Sequence, residues 1–299
     1  MIARALLPAL AAATLAIAGC GEAGTQSSVP RSDRLVNFTK QPPFVNALDI
    51  DPQTKDFLLT TNRGFYRIGS DGGKVTPIRG TISAQGKRST IGTFLELLVT
   101  GPKMFIGSGH PDRQGTLPSF LGFIKSDDDG KTWTAISRLG NADLHKIVLA
   151  HGRMYAFDAV LSAILISDDD GKTFTENFTP RGLIIDFEVD PANPKRLVAS
   201  NDSELFRSTD TGESWRPIDR REGIRLSWPA PDALYRALKD GTVQRSSDGG
   251  DTFEDIGSVE GEPYKFKAIS KDELYLALSD GTIVHTIDGA KTWKAVFRP

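Results

Sequence analysis

From residue 44 onward the apolar positions fall into short runs. Some alternate with polar residues, others are β-branched or aromatic, and Gly, Pro, Asn and Asp separate them. One period shows the grammar: "IIDFEVD", the turn-forming "PANPK", "RLVAS", "ELFRS", a Gly-containing turn, then "WRPI". This pattern predicts four short strands per period. No long stretch beyond the N-terminus carries a 3.6-residue period, so no helix is expected there.

The turn before the fourth strand recurs as Ser/Thr-x-Asp-x-Gly-x-Ser/Thr-aromatic. It reads Ser126-Asp128-Gly130-Thr132-Trp133, Ser167-Asp169-Gly171-Thr173-Phe174 and Ser208-Asp210-Gly212-Ser214-Trp215. It continues as Ser246-Asp248-Gly250-Thr252-Phe253 and Thr286-Asp288-Ala290-Thr292-Trp293. The aromatic residues at 133, 174, 215, 253 and 293 step by 41, 41, 38 and 40. A worn copy keeps Asp71 and Gly73. Repeats of about 40 residues with four strands each describe propeller blades. The chemistry suits a turn. Gly accepts a positive φ, the Asp carboxylate and Ser hydroxyl bond local N–H groups, and the aromatic opens the outer strand and packs between blades.

The motif resembles the Asp box, or BNR repeat, of sialidase-like propellers. That resemblance implies an all-β, six-bladed β-propeller over 44–299, with blades near 44–79, 91–138, 143–181, 183–220, 223–258 and 263–298. A seventh blade within 80–119 is the alternative. Extra length falls in 80–90 and in "GHPDRQGTLPS" at 109–119; both read as loops, where propellers often carry function. "IGSGHPD…LGFIKSDDDGKTWTAISRLGNADLHKI…MYAFD" is similar to bacterial secreted proteins and lipoproteins named glycosyl hydrolase or exo-sialidase-like. Fold resemblance alone does not carry that activity.

The N-terminus adds a second resemblance. Ala5 to Ala18 is apolar and uncharged after Arg4, and it ends in Ile17-Ala18-Gly19-Cys20. This resembles a bacterial lipobox, which implies a signal peptide over 1–19 and lipid on Cys20. Residues 20–43 read as a flexible tether in which 34–38 could add a strand. The chain would then sit outside the cytoplasmic membrane, held by lipid alone, on that membrane or an outer one.

Charge and composition narrow the chemistry. A net charge of −2 offers no field for nucleic acid. One Cys and four His exclude a thiolate zinc site and an internal disulfide. The Asp-rich turns lack the position-one Asp and the bidentate Glu of an EF-hand. Phosphate-loop, nucleophile-elbow and H-E-x-x-H motifs are absent. No cofactor and no metal is expected, and a monomer is.

A sialidase site, by resemblance, needs three arginines, a Tyr–Glu pair and an Asp. "FYRIG" at 65–69 places Arg67, but Arg67 stands where Lys125, Arg207 and Arg245 stand in their own periods, which reads as a recurrent blade-edge cation. Tyr264 with Glu262 is the remaining Tyr–Glu pairing. In a propeller the first strand of each blade lines the channel. Its opening residues here are near Asn46, Thr93 or Glu96, Asp143 to His145, Asp186, Arg225 and Lys265. His110, Asp112, His145 and Asp186 are therefore the candidates for acid–base or metal chemistry, and Arg113 for an anion. The reading adopted is a non-catalytic propeller that binds a protein or glycan at its channel mouth. The alternative is a glycoside hydrolase with a non-sialidase site.

Overall fold

The computed structural model describes residues 44–299 except 113, 114 and 223. The signal segment, Cys20, the tether and the strand suggested at 34–38 lie outside the described residues, as does Arg113. All regular structure among the described residues is β-strand.

Six sectors follow one another. The first holds β1 (Val45–Ile50), β2 (Phe57–Thr61), β3 (Gly64–Ile68) and β4 (Val75–Ile78). The second holds β5 (Thr81–Ala84), β6 (Lys87–Gly101), β7 (Met104–Pro111), β8 (Phe123–Ser126) and β9 (Thr132–Ser137). The third holds β10 (Leu144–Ala150), β11 (Arg153–Asp158), β12 (Ala163–Ser167) and β13 (Thr175–Phe178). The fourth holds β14 (Asp186–Val189), β15 (Leu197–Ser200), β16 (Leu205–Ser208) and β17 (Arg216–Asp219). The fifth holds β18 (Arg225–Ala230), β19 (Ala233–Ala237), β20 (Thr242–Ser246) and β21 (Glu254–Ser258). The sixth holds β22 (Pro263–Ala268), β23 (Leu274–Leu278), β24 (Ile283–Thr286) and β25 (Lys294–Phe297).

Five of these sectors are four-stranded antiparallel sheets in sequential order. The second is a closed five-stranded sheet, so the regular blades number five and not the six expected. The cause is local. Gln85 and Gly86 take φ of 51° and 72°, the paired positive values that suit a tight two-residue hairpin. Residues 80–90 therefore form strand rather than loop, and β5 turns back to pair in parallel with β9 through Thr81↔Thr132. The 109–119 insertion is likewise no free loop. β7 runs into it as far as Pro111, and Leu117 and Leu121 are buried in the cluster around Phe94 and Phe105.

The first strands touch in the cyclic order β1, β6, β10, β14, β18, β22 and back to β1, which is the ring of a propeller. Apolar clusters fill the space between successive sheets, for example Ile106, Phe123, Leu144 and Ala156 between the second and third sectors.

The repeated turns seal the same seams. Each packs on the outer part of the preceding sector. Gly130 faces Phe65 and Ile78, Gly171 faces Phe123, Gly212 faces Asn177 and Phe178, and Gly250 faces Ile218. Two hydrogen bonds follow the rule, Ser137 Oγ to Gly171 O at 2.5 Å and Asn177 Nδ2 to Thr211 O at 2.8 Å. The last turn continues it, since a Cβ at Gly257 would stand 1.9 Å from Ala290 O. At Gly72, whose φ is 75°, a Cβ would fall 1.7 Å from Val296 O, so the first sector's turn closes the ring against β25.

Inside each turn the hydroxyl and carboxylate do matching work. Ser167 Oγ accepts the N–H of Gly171 at 2.8 Å and donates to Asp169 Oδ1 at 2.8 Å, while Asp169 accepts the Thr173 N–H at 2.9 Å. Ser126 with Asp128, Ser208 with Asp210, Ser246 with Asp248 and Thr286 with Asp288 repeat the arrangement.

Candidate functional site: the channel and its mouth

The six first strands surround a cavity of about 240 Å³. A side chain every second residue faces it. Its polar wall consists of Asp49, Glu96, Lys146, Asp186, Glu188, Ser227, Lys265 and Lys267.

The carboxylates here are largely committed. Asp49 accepts the Ile50 N–H at 2.9 Å and the Val99 N–H of the neighbouring sector at 2.8 Å. Asp186 does the same for Phe187 and Leu226, both at 2.9 Å. These two acids are staples between sectors. Each also holds a lysine: Lys267 Nζ lies 2.8 Å from Asp49, and Lys146 Nζ lies 2.7 Å from Asp186 and 3.1 Å from Glu188. Burial works against a charged Lys146, but Asp186, Glu188 and Glu96 outweigh it and raise its pKa.

Glu96 and Lys265 differ. Glu96 accepts the Leu97 N–H at 2.9 Å and has no ion pair within 4 Å among the described residues. Burial pushes its carboxyl up to about 7, against the opposing pull of Lys265 and Lys146. Lys265 also lacks an ion pair among the described residues. Burial holds its pKa below the ordinary lysine value, and Arg225 adds to that effect.

The rim is aromatic and cationic. At the mouth where the first strands begin, Phe44 meets Tyr264 edge-on with centroids 4.7 Å apart, and the Arg225 guanidinium lies 5.0 Å over the Tyr264 ring. Phe44 is 53% exposed, and Arg225 Nε is buried without an acceptor. Tyr264 thus packs against Phe44 and Arg225; burial raises its pKa, and the charge of Glu262, its partner in the sequence reading, adds to that.

The four catalytic candidates do not form one constellation. His110 and His145 come together on Asp143, with His110 Nε2 3.6 Å from Oδ1 and His145 Nε2 3.2 Å from Oδ2. His110 Nδ1 lies 2.7 Å from Ser119 O. Asp186 belongs instead to the channel wall. Asp112 lies two residues beyond His110, where its carboxylate takes the Thr90 hydroxyl at 3.3 Å and its N–H bonds Thr90 O. Among the described residues no group of three His, Cys, Asp or Glu side chains is arranged to hold a metal. Arg67 is spent on Asp51, Asp56 and Asp129 at a sector edge.

Lys146, Glu188, Lys267 and Asp49 escaped the sequence reading. A signal for them exists: Asp186-x-Glu188 and Lys265-x-Lys267 put like charges two apart within short, otherwise apolar strands, hence on one face.

No family model matches the chain. Over 97 residues it is 29% identical to the dispase autolysis-inducing protein of Streptomyces mobaraensis, a match covering 32% of this chain and only 25% of that protein. Among solved structures, YCF48 from Cyanidioschyzon merolae superposes with a TM-score of 0.55 at 15% identity, over 82% of this chain and 95% of that one. YCF48 bound to D1 peptide gives 0.54 at 18% identity, over 85% and 81%. An ancestral GH74 enzyme gives 0.53 at 13%, over 81% of this chain and 36% of its own. At these identities the likeness shows the fold, which is that of a β-propeller.

Proposed function

We propose that this chain is an extracytoplasmic β-propeller, held at a membrane face by lipid on Cys20, which binds a protein partner at the channel mouth. One observation carries the reading. The mouth presents two aromatics and a cation in contact, Phe44, Tyr264 and Arg225, above a channel whose aspartates are already tied to lysines and backbone amides. Aromatic and Arg side chains of this kind are what protein interfaces use as anchors. A structural neighbour with a bound peptide, YCF48, supports the same use of the fold.

A glycoside hydrolase needs two carboxylates free to act as acid and base or nucleophile. Asp49 and Asp186 each hold two backbone amides and a lysine, which favours the binding role over the hydrolytic one.

The test is a photo-reactive residue at Phe44, compared in cells with one at Val75 on β4. A discrete protein adduct from position 44 alone supports the reading. Glycan-array binding or turnover of chromogenic glycosides without such an adduct overturns it. Cys20→Ser should release the chain from the membrane fraction; retention there would remove the anchor.

A further inference from the structure

We infer that the channel mouth holds a carboxylate-binding site made by Lys265 and Arg225, which captures the C-terminal carboxylate of a peptide; this rests on the protein-binding reading above.

Each other lysine of the channel wall has a carboxylate within hydrogen-bond reach, Lys146 at 2.7 Å and Lys267 at 2.8 Å. Lys265 has none among the described residues, although it lines the same cavity. Arg225, at the start of the adjacent strand, leaves Nε buried without an acceptor. A buried donor without a partner is costly, and the orphaned Arg225 Nε, with an unpaired lysine beside it on the neighbouring strand β22, indicates an acceptor that arrives from outside. Arg225 is close enough to add to the lowering of the Lys265 pKa that burial causes.

Charge balance selects a monoanion. The wall carries Lys146, Lys265 and Lys267 against Asp49, Glu96, Asp186 and Glu188. With Glu96 protonated the three lysines balance the three remaining acids, and Arg225 at the rim is left over. One negative charge is accommodated, and a doubly charged phosphate would meet the acids of the wall uncompensated. This is not the three-arginine grip of sialidases, since Arg67 is held at a sector edge. The aromatic pair Phe44 and Tyr264 beside the cations suits the last side chains of a peptide.

Glu96 makes capture proton-linked. It faces Lys265 and Lys146 favourably and Asp186 unfavourably, with Asp49, Glu188 and Lys267 on the same wall. An arriving carboxylate stabilises the neutral form of Glu96, so affinity is highest below about pH 7 and falls as the pH rises above it.

Calorimetry on the full chain tests this with three probes: N-acetylated hexapeptides lacking Asp and Glu with a free C-terminus, the same peptides amidated, and acetate. The expected result is binding of the free acids, loss of at least about tenfold on amidation and on Lys265→Met or Arg225→Gln, and weakening from pH 6 to pH 8.5 that Glu96→Gln diminishes. Melting curves establish that the variants are folded. Acetate bound through Lys265 while no peptide binds would support the anion site and sink the protein-binding reading. Equal binding of acids and amides would overturn the carboxylate site and leave protein binding standing. Silence from every probe overturns the inference.

Discussion

Lys146 Nζ lies 2.7 Å from Asp186 Oδ1, an ion pair that crosses from the third sector to the fourth in the channel wall. The same carboxyl group holds the Leu226 N–H of the fifth sector. One side chain therefore ties three consecutive sectors together. Asp186→Ala should cost about 3 kcal/mol, because it leaves a buried lysine and a buried amide without an acceptor. Asp186→Ala combined with Lys146→Met should recover part of that loss in urea unfolding. A fully additive double variant would show that the pair is not coupled. Any activity lost in Asp186→Ala has to be read beside its melting curve, since this substitution weakens the ring itself.

The repeat made most of the fold legible, because a turn with Gly at a positive φ and a capping Asp has to sit in the same place each time. The second sector was not legible in the same way. "ISAQGKRS" carries Gln-Gly between alternating residues, a hairpin signal overlooked beside the stronger motif, and the hairpin is what closes that sheet. The channel network was legible only in part. Asp186 and Lys265 could be placed at strand starts, but Lys146 meets Asp186 across 40 residues, a distance at which no local pattern carries information. His110 and His145 lie against one carboxylate. Their shared Asp143 depends on how two sectors pack.

The Ser of the repeated turn is buried although the turn itself reaches solvent. Ser208 is 1% exposed. Its hydroxyl accepts the Gly212 N–H at 2.8 Å and donates to Asp210 at 2.7 Å. Ser208→Ala should cost about 1–3 kcal/mol, the loss expected when a buried N–H has no acceptor. Ser214→Ala, which removes a solvent-facing hydroxyl from the same Asp210, should cost less. Equal losses in chemical denaturation would refute the distinction.

Two glycines at equivalent turn positions should respond differently to alanine. Gly212 has φ of 91° and a Cβ there would find nothing closer than 3.5 Å, whereas at Gly171, with φ of 78°, it would stand 2.4 Å from the Phe123 ring. Ala290 occupies the same turn position at φ of 76°, so the backbone conformation is tolerated by a Cβ. Gly212→Ala should cost about 1 kcal/mol from conformation alone and Gly171→Ala about 2–4 kcal/mol, since the ring must also move. A Gly171→Ala variant as stable as Gly212→Ala would place Phe123 in a softer seam than the structure gives.

The turn carboxylates set the acid limit of the fold. The Thr173 N–H and hydroxyl hold Asp169 at about 2, and the Ser214 hydroxyl and N–H hold Asp210 at about 2, both below the ordinary 3.8. A depressed folded value means stability that is complete above the unfolded pKa and is lost as the pH falls through the folded one. Thermal stability should therefore decline from about pH 4 toward pH 2. Asp210→Asn should be weaker at pH 7 and lose less over that interval. If its melting temperature falls as steeply as that of the native chain, Asp210 does not contribute to the acid transition.

Glu96 works in the opposite direction. Burial raises its carboxyl from 4.5 to about 7 despite Lys265, Lys146 and the Leu97 N–H, so the folded chain holds this proton more tightly than the unfolded one. The linked stability is fully present below the unfolded value and is lost as the pH rises from about 4.5 to about 7. Gln at this position keeps an oxygen for the Leu97 N–H and never ionises. Glu96→Gln should match the native chain at pH 5 and melt at a higher temperature at pH 8.5, where the native chain has to hold an unpaired carboxylate in the channel wall. A difference that is constant across that range would mean Glu96 titrates at its ordinary value. Loss of stability at pH 8.5 in the variant would mean that the ionised carboxylate is bound to Lys265 after all, leaving that lysine no vacancy for an incoming anion.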